Sequence, residues 1–185
     1  MDFVGGAGFT NIDLLYQGLS RMPVAGEEIY SKSFNMQLGG GIPATMINLQ
    51  RLGIPSRVVT FIGEDCFSDF VRKEFEAYHV ELVNLYKGNK MPVVLSSTMV
   101  WEHDRSFVSY RDEVEITSEV LDQIYESLKG AKVVDMHEGF LDVYRKLQGE
   151  GTIQVFDTGW SDDLSIDKYR EYLQIADYYV PNQKE

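Results

Sequence analysis

Short apolar runs and segments of helical periodicity alternate along the second half of the chain. In order, they predict helix 120–128, strand 133–137, helix 141–147, strand 153–156, helix 166–175 and strand 178–180. Strands that alternate with helices at such intervals form βαβ units. The pattern therefore predicts an α/β fold with a mainly parallel sheet covered by helices on both faces.

The first half of the chain mixes this pattern with stretches typical of antiparallel β-structure. Residues 3–9 and 57–62 predict buried strands, and residues 66–78 predict an amphipathic helix, because apolar side chains recur there at spacings of three and four. Residues 28–38 alternate in part and predict a strand or hairpin arm. Residues 92–110 predict a β-hairpin with a four-residue turn at 102–105.

The stretch QLGGGIPATMINLQRLG, residues 37–53, joins three glycines to a helical pattern. Gly39, Gly40 and Gly41 lack a Cβ, so the backbone can bend sharply or come into contact with another group. Pro43 suits the first turn of the helix that follows. The unpaired N–H groups at such an N-terminus suit a polar ligand. A glycine-rich hinge or turn that binds nothing is the alternative.

Two polar residues follow the predicted first strand. Asn11 and Asp13 are two positions apart, so in extended backbone their side chains point the same way. They are therefore candidates to bind one ligand together, and an Asx turn is the plain alternative.

Polar residues also follow the later strands of the predicted parallel sheet. They are His137 and Glu138, Asp157 and Thr158, and residues 182–185. Ligands of such sheets collect beyond the carboxyl ends of the strands, so these residues are candidates for one binding rim. Helix caps account equally well for some of them.

Composition narrows the possible functions. The net charge of -12 argues against a nucleic-acid partner, because no basic stripe is present to replace phosphate counterions. No apolar run approaches the roughly 20 residues of a membrane span, and no secretory signal is visible, so we expect a cytoplasmic protein. The spacing of the three histidines predicts no histidine metal site, and Cys66 is expected to be a buried or half-buried residue.

Two aromatic residues flank the turn of the predicted hairpin. Trp101 and Phe107 suit a lid that closes over a ligand, and cross-strand packing in an ordinary sheet explains them equally well.

Several short motifs occur in a fixed order along the chain, and the whole series is more specific than any single glycine pair. The stretches are VGGAGFTNID, PVAGEEI, LGGG with RLG, FIGEDCF, WEHDRSFVSYR and the final PNQKE. Together they resemble the ribokinase-like (PfkB-type) carbohydrate kinase family over residues 1–185. The resemblance implies a three-layer fold with a small β lid, formed here by residues of about 14–38 and 92–110.

The resemblance also implies roles for individual residues. Asp13 would bind sugar hydroxyls with Asn11 beside it, and Gly39 or Gly40 with Gly41 would form a hinge under the lid. Asn182 and Glu185 would help to place a metal ion and phosphate groups.

Glu138 on the rim and Thr45 at the helix start are the remaining substrate-binding candidates. The asparagine usual at the helix start in the family is replaced by Ala44 or Thr45, which alters a usual contact to the sugar.

The implied activity is ATP-dependent and Mg²⁺-dependent phosphorylation of a hydroxyl of a ketose, pentose or related sugar derivative. No nucleic-acid or membrane partner is expected, and a homodimer through the β lid is possible. The nucleotide segment and the GAGD anion hole of the family are not found in residues 1–185, so we expect the chain to be an N-terminal portion that holds no catalytic residue and is inactive alone. A sugar-binding regulatory protein without phosphoryl transfer is the alternative function.

Overall fold

The structure contains one parallel sheet, one mixed sheet and five helices in the part of the chain that it describes. The computed structural model describes residues 2–102, 104–159 and 161–183. In chain order the elements are β1 (Val4–Ala7), β2 (Asn11–Leu19), β3 (Ser33–Gly39), α1 (Gly41–Arg51), β4 (Ser56–Thr60), α2 (Cys66–Ala77), β5 (Glu81–Asn84), β6 (Val94–Trp101), β7 (Asp104–Tyr110), α3 (Ser118–Leu128), β8 (Val133–Met136), α4 (Leu141–Gly149), β9 (Ile153–Phe156), α5 (Ile166–Ile175) and β10 (Tyr178–Tyr179).

The six-stranded sheet has the order β10-β9-β8-β1-β4-β5, and every neighbouring pair in it is parallel. Helices lie on both of its faces. Val58 and Val59 are adjacent on β4 and belong to two separate hydrophobic cores. One core contains Ile124 of α3 together with side chains of α4 and α5, and the other contains Met46 of α1 and Phe75 of α2. The predicted three-layer α/β architecture is confirmed.

The second sheet has the order β3-β2-β6-β7 and is mixed. Strand β2 pairs antiparallel with β3 and parallel with β6, and β6 pairs antiparallel with β7. One face of this sheet carries Ile12, Leu14, Leu38 and Leu95, which join the core beneath α1 and α2. The sheet is therefore attached to the parallel sheet by one apolar face near its base.

Several element boundaries differ from the predictions. Strands β6 and β7 pair up to Trp101 and Asp104, so the connection between them is shorter than the predicted four-residue turn. Strand β5 has no counterpart among the predicted elements. Asn11 and Asp13 do not lie in a turn after the first strand, because both belong to β2, whose nine residues extend across the second sheet.

Cys66 is exposed, which corrects the prediction that it is buried or half-buried. It is the first residue of α2, directly after the N-cap Asp65, whose Oδ1 accepts hydrogen bonds from the Phe67 and Ser68 amides at 2.9 and 3.0 Å. The buried stripe of this helix begins at Ser68. At about 100° per residue, Cys66 falls on the opposite, solvent side of the helix.

Candidate functional site

Asn11 and Asp13 lie side by side on one face of β2. The Asn11 amide Nδ2 donates to Asp13 Oδ1 at 2.8 Å, and the Ser96 hydroxyl of β6 donates to Asn11 Oδ1 at 3.1 Å. Ser96 also shares a hydrogen bond of 2.7 Å with Ser109 of β7. The orientation of the Asp13 carboxylate is thus fixed by a chain of side chains across three strands.

The Asp13 carboxylate depends on the absence of a side chain at Gly39. A Cβ at Gly39 would lie 2.4 Å from Asp13 Oδ2, well inside van der Waals contact. Burial raises the pKa of Asp13 above its usual value, while the Arg105 guanidinium and the Asn11 amide lower it in part. Asp13 is therefore a half-buried carboxyl group whose ionised form is held by one cation and one amide donor.

Gly40 and Gly41 form the turn between this carboxylate and α1. Gly40 has φ +89°, the left-handed region that favours glycine, and a Cβ there would lie 3.3 Å from the Phe9 carbonyl oxygen. A Cβ at Gly41 would meet nothing within 4 Å. Gly40 is the N-cap of α1 without a side-chain cap, and the first turn carries no acidic residue. The N-terminus of α1 is therefore open to a polar ligand.

A cavity of about 630 Å³ lies between this N-terminus and the carboxyl ends of β8 and β9. Its lining brings together four of the residues that the sequence placed on one rim, does not include Asn182, and includes Gly41 and Thr45 of α1. Those rim residues are His137, Glu138, Asp157 and Thr158. Asn182 lies after β10 in the last described segment, and Glu185 lies outside the described residues.

Asp135 on β8 also lines the cavity and was not predicted as a site residue. Burial raises the pKa of Asp135 to about 6, the Thr45 hydroxyl lowers it, and the neighbouring Asp157 raises it further. The Thr45 hydroxyl also donates to the Gly41 carbonyl at 3.0 Å. Because the Thr45 hydroxyl has one proton, it can donate either to the Gly41 carbonyl or to the Asp135 carboxylate, and only the second bond favours the ionised form of Asp135. The sequence signal for it is a charged residue within the apolar run VVDM.

His137 lies at the wall of the cavity between two aromatic rings. Its ring centroid is 6.3 Å from that of Phe9 and 6.0 Å from that of Phe140. Burial lowers the pKa of His137, Glu138 raises it and the Arg111 guanidinium lowers it again. Glu138 itself pairs with Lys168 Nζ at 3.2 Å. The neutral imidazole is thus favoured at this position.

Arg111 reaches the site from the end of β7, and the sequence analysis did not single it out. Its guanidinium carbon lies 3.8 Å above the centre of the Phe9 ring. The Phe9 ring in turn lies 6.3 Å from the His137 ring, measured between their centroids. No local sequence pattern marks this arginine, because its contacts come from residues about one hundred positions away in the chain.

The two aromatics predicted to form a lid lie on opposite faces of the four-stranded sheet. Phe107 pairs with Thr98, which is opposite Leu15, so Phe107 shares the face of Asp13. Trp101 is an odd number of positions from Thr98 on β6 and therefore lies on the other face. Of the two, only Phe107 is on the side where it can face a ligand bound at Asp13.

Within the described residues, no group of three or more His, Cys, Asp or Glu side chains is arranged to hold a metal ion. None of the helices in the same part of the chain is long and apolar enough to cross a membrane.

Comparison with solved structures identifies the fold. A ribokinase from Giardia lamblia aligns with a TM-score of 0.82 at 19% identity, over 98% of this chain and 57% of that one. A ribokinase from Arabidopsis thaliana, solved with ribose and ATP, aligns with a TM-score of 0.73 at 21% identity, over 100% of this chain and 61% of that one. These identities establish a shared fold.

Comparison of sequences adds the family. An uncharacterized sugar kinase of Pyrococcus horikoshii is 22% identical over 149 residues, which cover 75% of this chain and 48% of that protein. This chain thus spans about half the length of the curated relative it matches. The description pfkB family carbohydrate kinase matches residues 7–185. Because that match covers nearly all of its residues, the chain belongs to the pfkB family of carbohydrate kinases.

Proposed function

We propose that this chain is the sugar-binding part of a kinase that transfers the γ-phosphate of ATP to a hydroxyl of a ketose, pentose or related sugar derivative. The observation that carries the proposal is the Asn11–Asp13 pair, fixed by a 2.8 Å hydrogen bond and set against Gly39, where no side chain fits. Family membership and the ribose and ATP bound to the Arabidopsis ribokinase support it.

In this proposal Asp13 accepts hydrogen bonds from two sugar hydroxyls. Its second oxygen, Oδ2, lies beside Gly39, and Asn11 holds the first, so the carboxylate cannot turn away from the ligand. Gly41 at the uncapped N-terminus of α1 lines the cavity, and the N–H groups of this terminus are proposed to bind a sugar oxygen there. Phosphoryl transfer depends mainly on positioning and charge stabilisation, so fixing the acceptor hydroxyl is the contribution expected of these residues.

Glu138 and Thr45 complete the proposed sugar site. Both line the same cavity as Gly41. Glu138 already pairs with Lys168, so it would accept a sugar hydroxyl with its remaining lone pairs. Thr45 can accept from a hydroxyl while its own proton bonds to Gly41.

ATP would bring the phosphoryl group, and Mg²⁺ would accompany its phosphates. The described residues do not form a protein cage for the metal. Mg²⁺ in kinases is commonly held by substrate phosphates, water and one or two carboxylates. Asn182 and Glu185 are the residues proposed to approach it, and Glu185 lies outside the described residues.

The four-stranded sheet is proposed to be the lid, hinged at residues 39–41, and the site of homodimer formation. Its face opposite Asp13 exposes Phe34, Val108 and Tyr110 by 56%, 66% and 60%. Exposed apolar side chains and the unpaired edges of β3 and β7 favour contact with a second copy. Light scattering of the purified protein tests this, because a monomer at all concentrations contradicts it.

A coupled assay of ADP release with a panel of ketoses and pentoses tests the proposed function. The full-length protein should show sugar-dependent turnover. Residues 1–185 alone should show none, since losing a general base and an anion hole removes about 10⁴ to 10⁷ of the rate acceleration. Turnover by residues 1–185 contradicts the placement of the catalytic groups outside them. Sugar binding by calorimetry without turnover in the full-length protein favours the regulatory alternative.

A further inference from the structure

Two tyrosine hydroxyls hold the backbone of the short connection between β8 and α4. The Tyr144 hydroxyl on α4 accepts a hydrogen bond from the His137 amide at 2.8 Å. The Tyr172 hydroxyl on α5 accepts one from the Gly139 amide at 2.7 Å. The two amides belong to the residues on either side of Glu138. The backbone around Glu138 is therefore held on both sides, and each contact comes from a different helix.

A further contact from α5 holds the Glu138 side chain. Lys168 Nζ lies 3.2 Å from Glu138 Oε2, and the same ammonium group donates to Ser161 Oγ at 3.0 Å. Glu138 is itself exposed and lines the cavity. An exposed carboxylate on a short connection can ordinarily take several positions, and fixing it costs conformational entropy. Here the contacts from α4 and α5 restrict both its backbone and its side chain.

The rings of the two tyrosines are needed for packing, but their hydroxyl groups are not. Both residues are buried in the core that contains side chains of α3, α4 and α5. Tyr172 also stacks on Phe156, with 5.2 Å between the ring centroids. Phenylalanine would fill the same space as either tyrosine, so packing alone does not account for the hydroxyl groups. Burial raises the pKa of Tyr144 and Tyr172, so both hydroxyls are neutral at physiological pH.

The two amides leave the ladder of the parallel sheet, because β8 ends at Met136. A backbone N–H beyond the end of a strand needs another acceptor, either a side chain or water. His137 is half-buried, whereas Gly139 is exposed. Water can therefore replace the Tyr172 hydroxyl more easily than the Tyr144 hydroxyl, and we expect the contact from Tyr144 to have the larger effect.

We propose that Tyr144 and Tyr172 are positioning residues, which hold Glu138 where its carboxylate accepts a hydroxyl of the sugar. This role rests on the proposed sugar kinase function and extends the site to two helices behind it. Neither tyrosine belongs to the cavity lining in the described part of the chain, so both act through the amides beside Glu138. A binding group that is held in place beforehand avoids the cost of ordering it when the ligand arrives.

Tyr144→Phe and Tyr172→Phe in the full-length protein remove the hydroxyl groups and keep the rings. The probe is the member of a panel of ribose, ribulose, xylulose, fructose and tagatose that binds the wild type most tightly in calorimetry. Its affinity should fall about tenfold in Tyr144→Phe and about threefold in Tyr172→Phe, because each variant loses one hydrogen bond between neutral groups.

Tyr125→Phe is the matched control for both variants. It removes a hydroxyl of α3 that donates to Glu150, and Glu150 is the C-cap at the end of α4 away from the cavity. Its sugar affinity should equal that of the wild type. If no sugar of the panel binds the wild-type protein, the proposed function and the positioning role both fail.

A double-mutant cycle with Glu138→Gln separates positioning from a purely structural role. If Tyr144 acts through Glu138, Tyr144→Phe added to Glu138→Gln should lower sugar affinity by less than about twofold more. Equal losses in both backgrounds overturn the positioning role and leave the proposed function standing. The same holds if Glu138→Gln binds sugar as the wild type does, or if the tyrosine variants lower only the free energy of unfolding.

Amide hydrogen exchange, followed residue by residue by NMR, provides a measurement that needs no sugar. Tyr144→Phe should speed exchange of the His137 amide and leave that of Gly139 unchanged, and Tyr172→Phe should do the reverse. Unchanged exchange at both amides would show that the hydroxyls do not hold this connection, and the positioning role would be wrong.

Discussion

The parallel sheet and the four-stranded sheet surround their polar groups in different ways. Asp135 on the parallel sheet is half-buried in the wall of the cavity near Thr45 of α1, and burial raises its pKa to about 6. Asp13 on the four-stranded sheet is also half-buried, and burial raises its pKa too, although Arg105 and Asn11 oppose the rise by favouring the ionised form. A carboxylate that must bind hydroxyls is best kept charged, whereas burial favours the protonated form of a carboxyl group that has no cation beside it. The two half-buried carboxyl groups therefore differ in their neighbours: Asp13 has a cation and an amide donor beside it, and Asp135 has the carboxylate of Asp157.

Removal of the Asp13 carboxylate from the four-stranded sheet should have the largest effect on sugar binding. Asp13→Ala should weaken sugar binding by about 10²-fold or more, because each hydroxyl bonded to a charged group contributes about 1.5 to 3 kcal/mol. Asp13→Asn should keep part of the affinity through its amide oxygen. Calorimetry with the best acceptor sugar measures both.

Asp104→Ala is the matched control for Asp13. It removes a carboxylate from the same sheet, at a position of β7 that lies on the opposite face by its register with Trp101. Its sugar affinity should equal that of the wild type. Unchanged affinity in Asp13→Ala would remove this residue from the sugar site.

The pH dependence of the unfolding free energy tests the raised pKa of Asp135 on the parallel sheet. Folding raises the pKa of Asp135 from 3.8 to about 6, so between these values the native state binds a proton that the unfolded chain has released. The contribution of this proton to the free energy of unfolding is fully present below pH 4 and is lost as the pH rises through 6. A difference of about two pKa units corresponds to about 3 kcal/mol of unfolding free energy.

Asp135→Asn should therefore be more stable than the wild type at pH 7 to 8 and should lose most of that advantage near pH 4. Urea unfolding of the two proteins across this range gives the comparison. Asp162→Asn, which changes an exposed carboxylate, should follow the wild type at every pH. Parallel curves for Asp135→Asn and wild type would show that folding does not raise the pKa of Asp135.

Substitutions of the glycines at the junction of β3 and α1 should give a smaller effect. Gly39→Ala places a methyl group 2.4 Å from Asp13 Oδ2 and should lower sugar affinity about 10-fold by turning the carboxylate. Added to Asp13→Ala, the same change should cost little more, since both act through one group. Additive effects in this double-mutant cycle would mean that Gly39 acts on the sugar independently of Asp13.

Gly41→Ala tests whether the sugar lies against the start of α1. Its methyl group meets nothing within 4 Å, so stability should stay within about 0.5 kcal/mol of the wild type. A loss of sugar affinity without a loss of stability would place the ligand against Gly41.

The smallest expected effect concerns the motion of the four-stranded sheet. If it closes as a lid, amide hydrogen exchange in β6 and β7 should slow when sugar is added, together with exchange at residues 39–41. Exchange in β4 should change less, because its adjacent residues Val58 and Val59 belong to two packed cores on the two faces of the parallel sheet. If exchange in β6 and β7 stays the same with every sugar that binds, the assignment of this sheet as a lid is wrong.

The sequence alone determined most of the fold. Alternating strand and helix periodicity after residue 117 predicted the parallel sheet, and every helix predicted there is present. The structure has Asn11 and Asp13 side by side, as their spacing predicted, although on a strand and not in a turn. These features depend on the periodicity of apolar and polar residues within short segments, which can be read directly from the sequence.

The tertiary structure alone decided the details of the candidate site. It separated Trp101 from Phe107 by the register of β6 and β7, and it exposed Cys66 by rotating α2 about its buried stripe. It also brought Arg111 onto Phe9 and Asp135 onto Thr45. Such contacts join residues far apart in the chain, and their energies come from packing and desolvation, which no local pattern of residue types encodes.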